Sequence, residues 1–368
     1  MSIYTEFGLK RVINASGKMT ALGASAVHPS VAEALNEASQ NYVVMDDLMK
    51  TAGKFIAEET GAEDGCPVSG AAAGIAISIA ACITGTNLNL IEQIPFTQGL
   101  KNEVVVQKGH SVHFGASITQ MIMIGGGVPI EVGQANHTEK AHITEAINER
   151  TACLLYVKSH HAIQKGMQSI ESMLEVARDK GIPLIVDAAA EEDLHTYIQR
   201  GADLVIYSGA KAIEGPTSGF ICGRSDLIRS CHAQYKGIAR PMKIGKEAIM
   251  GLLAALRRYK DRDDHAEDQI KRMKHLLNQL EDLPGIQGRL VQDEAGRAIY
   301  RAELQVDAAA AGVDARGLIR ELESGNPSIY TRNYYANVGK IAIDPRPMRP
   351  GEEDLVADRI RQIIGNEA

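Results

Sequence analysis

Two short apolar runs, Leu184-Ile185-Val186 and Leu204-Val205-Ile206-Tyr207, flank a stretch from Asp193 to Asp203 that is long enough for one helix and a turn. A strand, a helical crossover and a second strand return to one sheet with the two strands parallel. The first run closes on Asp187 and is followed by Ala188-Ala189-Ala190. The second leads into Ser208-Gly209-Ala210-Lys211 and then Gly215-Pro216-Thr217-Ser218-Gly219. A carboxylate and an amine thus fall at the carboxyl ends of parallel strands, where open α/β sheets bind ligands.

Lysine is rarely buried without a partner, and burial favours its neutral, nucleophilic form. A lysine among small residues at the end of a buried strand suits a Schiff base with an aldehyde cofactor. Pyridoxal 5'-phosphate needs such a lysine, and also an acid that keeps its pyridine nitrogen protonated. Lys211 and Asp187 are the expected pair.

The surrounding chain alternates in the same way. Strands are expected over 104–106, 128–132, 153–157, 183–186 and 204–207, and helices over 56–60, 75–84, 116–124, 143–148 and 170–180. This pattern predicts an α/β fold with a mostly parallel sheet. Residues 1–50 read as an N-terminal arm, 51–245 as a large cofactor-binding domain, and 246–368 as a linker helix with a small α+β domain. The linker helix, over 246–283, is expected to break or bend near 261–264. The small domain reads as a strand over 297–304, a helix over 315–323, a strand over 329–343 with a turn near Asn337-Val338-Gly339, and a helix over 352–364.

The composition excludes several classes. A chain of 368 residues, 45% hydrophobic and 23% charged, is ordinary for a globular protein. A net charge of −7, no Trp and 4% aromatic residues argue against a nucleic-acid surface. No apolar run is long enough for a membrane span, and the first residues lack the order of a signal peptide. The five cysteines include no CxxC pair and mostly sit in apolar surroundings, which reads as reduced thiols and a cytoplasmic location.

Further candidates flank the central pair. Ser69-Gly70-Ala71 precedes an apolar helix, where backbone N–H groups and the helix dipole could hold a phosphate; the alternative is a tightly packed loop. Gly125-Gly126-Gly127 follows a helix and reads as a cap and turn. His110 and His113 in Gly109-His110-Ser111-Val112-His113, and His161 in Ser159-His160-His161, each follow a strand. An imidazole at these places could stack on a pyridine ring or donate to a substrate oxygen. It could equally be a satisfied or exposed surface pair. No carboxylate or cysteine stands at metal-ligand spacing, so no metal is expected. Cations cluster at Lys236, Arg240, Lys243 and Lys246, and again at Arg332, Arg346 and Arg349. An amino-acid carboxylate favours a bidentate arginine, and Arg346 is the favoured clamp with Arg332 beside it. Arg240 and Lys243 are candidates for a substrate phosphate.

Several of these segments carry a resemblance. Val12-Ile13-Asn14-Ala15-Ser16-Gly17, the Asp187 strand, Ser208-Gly209-Ala210-Lys211 with Gly215-Pro216, and Ile343-Asp344-Pro345-Arg346 resemble fold-type-I pyridoxal-phosphate enzymes of the selenocysteine-synthase-like family. The Gly109–His113 segment is similar to that of serine hydroxymethyltransferases, in which the first His stacks on the cofactor. The resemblance implies an aspartate-aminotransferase-like fold and a homo-oligomer, dimer or higher, whose site is completed by a neighbouring subunit. Bacterial selenocysteine synthases carry an N-terminal helical domain that grips tRNA. This acidic chain, whose arm begins almost at Met1, looks more like the stand-alone catabolic members. The implied reaction is an α,β-elimination on a small-molecule amino acid or phosphorylated amino sugar acid, with Lys211 moving the Cα proton and His110 or His113 assisting loss of a hydroxyl. Seryl-tRNA selenium transfer, or aldolase or transaminase chemistry, are the alternatives.

Overall fold

The computed structural model describes residues 3–113, 115–159, 162–260, 265–293 and 298–365. Its strands begin with β1 (Val12–Ala15), β2 (Asp64–Val68), β3 (Glu103–Gln107) and β4 (Val128–Val132). They continue with β5 (Thr151–Val157), β6 (Leu184–Asp187), β7 (Leu204–Ser208) and β8 (Gly219–Gly223). The last four are β9 (Ile286–Gln292), β10 (Tyr300–Val306), β11 (Ser328–Thr331) and β12 (Lys340–Ile343). The chain divides into two compact units, Val27–Lys260 and a second built from Met1–Ala26 with Asp261–Ala368.

The larger unit is organised by a seven-stranded sheet in the order β2-β8-β7-β6-β5-β3-β4. β8 is antiparallel to both of its neighbours, and the other pairings are parallel. Five residues of β3 and seven of β5 are buried without a break, as expected for strands covered on both faces. The faces still alternate. Val104, Val106, Leu155 and Ile206 pack into one core, and Val105, Leu154, Val186 and Val205 into the other. Helix Ala71–Thr84 is apolar nearly all round because it is enclosed by the sheet and by helices Ile118–Ile124 and Ser225–Ala233.

Where local signals are strong, the elements fall where the sequence puts them. Helix Ile170–Lys180 begins at Ser169, whose hydroxyl accepts from the Ser172 N–H, and ends at Gly181 in the left-handed region. Gly125 caps helix Ile118–Ile124, and Gly126 turns the chain with a positive φ. Helices Lys246–Tyr259 and Ala266–Leu280 flank residues 261–264, which lie outside the described residues.

The smaller unit holds a three-stranded antiparallel sheet, β12-β10-β9, and a separate parallel pair, β1 with β11. Its core gathers Ile13, Leu276, Leu304, Leu318, Ile341, Ile343 and Ile360. The strand expected over 329–343, with a turn near Asn337-Val338-Gly339, is β11 and β12 on either side of a helical turn at Ala336–Val338, but the two halves belong to different sheets. β11 pairs with β1, and Arg332 bridges back to Ala342. Four of the five cysteines are buried, and none forms a disulfide. Among the described residues, no helix is long and apolar enough to cross a membrane.

Candidate active site

Three strands meet at one edge of the large sheet. Gly219, the first residue of β8, pairs with Val68 at the end of β2 and with Ser208 at the end of β7. The loops that leave those two ends therefore emerge side by side. After β2 the chain passes through half-buried Ser69 and Gly70 into helix Ala71–Thr84, and no side chain caps the helix's first turn. Its first N–H groups are thus available to an anion. Gly219 makes this packing possible. A Cβ there would lie 2.7 Å from the Tyr207 carbonyl oxygen, 3.0 Å from Gly70 C and 3.1 Å from Ala71 N, all backbone atoms.

Lys211 is not in the strand. It lies in the turn after β7 and is half-buried, where the sequence had suggested a buried strand end. The turn is tied down by hydrogen bonds from Gly209 N–H to the Ser218 carbonyl (2.9 Å) and from Gly215 N–H to the Gly209 carbonyl (2.7 Å). Ser208 is half-buried at its start.

Asp187 closes β6 and is 5% exposed. Its Oδ1 accepts from the Ala189 N–H at 3.1 Å. Burial pushes its pKa up to about 6, against that N–H and the positive charge of Lys211. His110, in the short helical turn after β3, is fully buried, and its Nδ1 accepts from the Val157 N–H at 3.3 Å. Its ring meets Tyr156 edge-on, with centroids 4.6 Å apart. Burial lowers its pKa to about 4, against the backbone of Ile163 and aided by the charge of Lys158. Nε2 of His110 is buried and makes no hydrogen bond among the described residues. A buried carboxylate with one backbone donor and a buried ring nitrogen with no partner, at the same edge as an uncapped helix start, fit a group that brings a cationic N–H, a flat ring and an anion. Pyridoxal phosphate has all three.

The other sequence candidates are dispersed. His113 is exposed, and His161 lies outside the described residues. Lys236, Arg240 and Lys243 are exposed, whereas Lys246 caps the end of helix Pro29–Gln40 by donating to the carbonyls of Ala38 and Ser39. Arg332 and Arg346 belong to the smaller unit. There Arg346 donates to Asp344 through Nε (2.9 Å, to Oδ1) and Nη2 (2.8 Å, to Oδ2). Gly17, at φ +101°, packs against this pair, which accounts for the small residues of the Asn14–Gly17 segment. Sequence reasoning missed Tyr156, which carries no motif. It quoted Gly219 without a role, because the close approach it permits is between segments far apart in sequence.

The family model described as SelA, L-seryl-tRNA selenium transferase, matches residues 12–325. A D-glucosaminate-6-phosphate ammonia lyase of Salmonella typhimurium is 45% identical over 100% of this chain and 99% of its own. A solved structure of D-glucosaminate-6-phosphate ammonia-lyase matches with a TM-score of 0.95 at 44% identity, covering 100% of this chain and 99% of that one. A 5'-C-glycyluridine monooxygenase-decarboxylase of Streptomyces sp is 44% identical over 98% of this chain and 92% of its own. An aspartate aminotransferase from Thermus thermophilus, at 16% identity and a TM-score of 0.55 over 98% of this chain and 93% of that one, shares the fold alone. The fold is thus the fold-type-I, aspartate-aminotransferase-like α/β architecture expected from the sequence.

Proposed function

The chain belongs to the family of L-seryl-tRNA selenium transferases, and from that premise we propose that it is a pyridoxal-phosphate-dependent ammonia-lyase acting on a 2-amino-3-hydroxy acid. D-Glucosaminate 6-phosphate, named for a relative 45% identical over the whole chain, is the leading substrate. The observation that carries this reading is a buried Asp187 at the end of β6, held by one backbone N–H, with Lys211 in the turn that leaves the adjacent parallel strand β7.

In this reading Lys211 attaches the cofactor, the Gly70–Ala71 helix start holds its phosphate, and Asp187 pairs with its pyridine N–H. Ser208 lines the turn. Bound there, the cofactor supplies an electron sink for the substrate's Cα. Lys211 takes the Cα proton. Water leaves from C3, and hydrolysis of the resulting imine gives a 2-oxo-3-deoxy acid and ammonia. His110 stays neutral above its pKa of about 4, with Nδ1 occupied as an acceptor, so its Nε2 is the donor. It helps by a hydrogen bond rather than as a pre-protonated acid. His113 and His161 are further candidates for that assistance.

Purified protein supplied with pyridoxal phosphate and D-glucosaminate 6-phosphate should release ammonia and the 2-oxo acid in equal amounts. Borohydride should fix a pyridoxyl group on the peptide containing Lys211. Labelling of a different peptide, or no ammonia from any amino sugar acid or hydroxyamino acid, ends this reading. A second reading rests on the Streptomyces relative: oxygen uptake with carbon dioxide release from a glycyl group borne on a nucleoside. An oxygen electrode separates the two, since the elimination consumes no oxygen.

We also propose a homo-oligomer. Phe7 and Leu9 are 80 and 57% exposed, and Tyr42 and Val44 are 103 and 64% exposed, so two separate pairs of large apolar side chains face solvent. Light scattering at micromolar concentration should give at least twice the chain mass.

A further inference from the structure

The parallel strands β3, β5, β6 and β7 each bring an ionisable group to their carboxyl ends: His110, Lys158, Asp187 and Lys211. Three of these have a part in the elimination proposed above. Asp187 is committed to the pyridine N–H, and Lys211 to the Cα proton. His110 is neutral, and it cannot give up the single proton on its buried Nε2 without becoming an imidazolate. Hydroxide is a poor leaving group, so the oxygen departing from C3 needs a proton from an acid.

Lys158 is the fourth group. It follows β5, whose seven residues are all buried, and it is itself half-buried. Its backbone N–H donates to the Asp187 carbonyl at 2.8 Å. The preceding residue, Val157, donates its N–H to Nδ1 of His110 at 3.3 Å. The end of β5 is thus tied to the imidazole on one side and to the Asp187 backbone on the other, as its place between β3 and β6 requires. The ammonium lies near enough for its charge to oppose a second positive charge on the His110 ring. Other lysines of this unit are paired, Lys140 with Glu175 and Lys260 with Glu59, both at 2.8 Å. Among the described residues no carboxylate forms an ion pair with Lys158, and the lysine charge that Asp187 feels is that of Lys211. A half-buried ammonium has three protons to donate and is short of acceptors until an oxygen reaches it.

We infer that Lys158 is a second catalytic lysine, set beside His110 to protonate the C3 hydroxyl as it leaves. This role rests on the ammonia-lyase reading. After Lys211 has taken the Cα proton, the C3–O bond breaks with its electron pair passing to oxygen, and a proton from Lys158 Nζ makes that oxygen water. Lys158 regains its proton from solvent, to which its half-exposed side chain has access. No oxidant, reductant or further reactant is needed.

The test compares full-length wild type, Lys158→Met and Lys158→Arg, each loaded with pyridoxal phosphate, on D-glucosaminate 6-phosphate in deuterium oxide. Cleavage of the Cα–H bond, read as deuterium entering recovered substrate together with product formed, should stay near the wild-type rate in both variants. Ammonia release should fall about 10²–10⁴-fold, the usual range for loss of a general acid. Arginine keeps the charge but is a far weaker acid, so Lys158→Arg should not restore release. A second readout needs neither cofactor nor turnover. The Lys158→Met apoprotein should melt at or above the wild-type Tm, because it loses a charge that has no counter-ion. Near-normal ammonia release by either variant overturns the acid role, and so does an equal fall in Cα–H cleavage and release. A Tm well below the wild type makes Lys158 a structural residue and overturns it too. A wild type that releases no ammonia overturns the lyase reading, and this role with it. Failure of the role alone shows as a wild type that works and a Lys158→Met that works as well.

Discussion

The backbone N–H of Val157 donates to Nδ1 of His110 at 3.3 Å, so the imidazole's own proton sits on the fully buried Nε2. The histidine is neutral by construction. With a folded pKa of about 4 against an ordinary 6.5, it favours the folded state fully above pH 6.5. That contribution is lost as the pH falls through 4, and it amounts to roughly 3 kcal/mol in all. Urea unfolding between pH 4 and 7 should show this slope in the wild-type apoprotein and a shallower one in His110→Asn. Identical slopes would mean that His110 titrates as it does in the unfolded chain.

Asp187 should behave in the opposite sense. Its folded pKa of about 6 lies above the ordinary 3.8, so its contribution is fully present below 3.8 and is lost as the pH rises through 6. The difference corresponds to about 3 kcal/mol. Asp187→Asn should therefore make the apoprotein more stable than the wild type at pH 7, while turnover with pyridoxal phosphate falls by orders of magnitude. A variant that is no more stable at pH 7, or that keeps near-normal turnover, would contradict the assignment.

These two residues were legible in the sequence to different degrees, for physical reasons. Asp187 stands at the end of a β-branched run bounded by small residues, and its strand forms over Leu184–Asp187. β4, over Val128–Val132, and helix Ile170–Lys180 coincide with their expected spans because caps and turn glycines mark them. β2 and β8 were not legible. Asp64-Gly65-Cys66-Pro67-Val68 and Gly219-Phe220-Ile221-Cys222-Gly223 have no alternation, and they become strands only by pairing with each other and with β7. Helix Ala71–Thr84 starts four residues before the expected Ile75, because a run of alanines reads as loop until the sheet buries it. The sequence favours Arg346 over Arg332 as a carboxylate clamp and gives no sign that Arg346 is paired within its own chain. Which guanidinium is neutralised depends on Asp344, and that pairing exists only in the folded unit.

Gly219→Ala isolates the contact between the two loops. The added methyl would press on the Tyr207 carbonyl and on the backbone at Gly70 and Ala71, none of which can move as a flexible side chain does. Overpacking of this kind costs about 1–3 kcal/mol. The Tm should fall, and pyridoxal phosphate affinity, followed by absorbance titration, should fall with it as the helix start shifts. If affinity is unchanged in a destabilised variant, the Gly70–Ala71 loop does not hold the phosphate.

The last prediction concerns the substrate's far end. A phosphorylated substrate carries a second anion, and Arg240 and Lys243 lie close together in sequence with Lys236 nearby, all exposed. An exposed cation cluster is by default a solvated face, so the test must separate phosphate recognition from a general loss of charge. Arg240→Ala should raise KM for D-glucosaminate 6-phosphate far more than for D-glucosaminate. Losing one charge-assisted hydrogen bond costs ~1.5–3 kcal/mol, or roughly ten- to a hundredfold in kcat/KM. Raising the salt concentration should weaken binding of the phosphorylated substrate in the wild type more than in the variant, because exposed charges are screened within about a Debye length. Equal effects of Arg240→Ala on both substrates would assign the cluster to solvent, and the phosphate site would then have to lie among other cations.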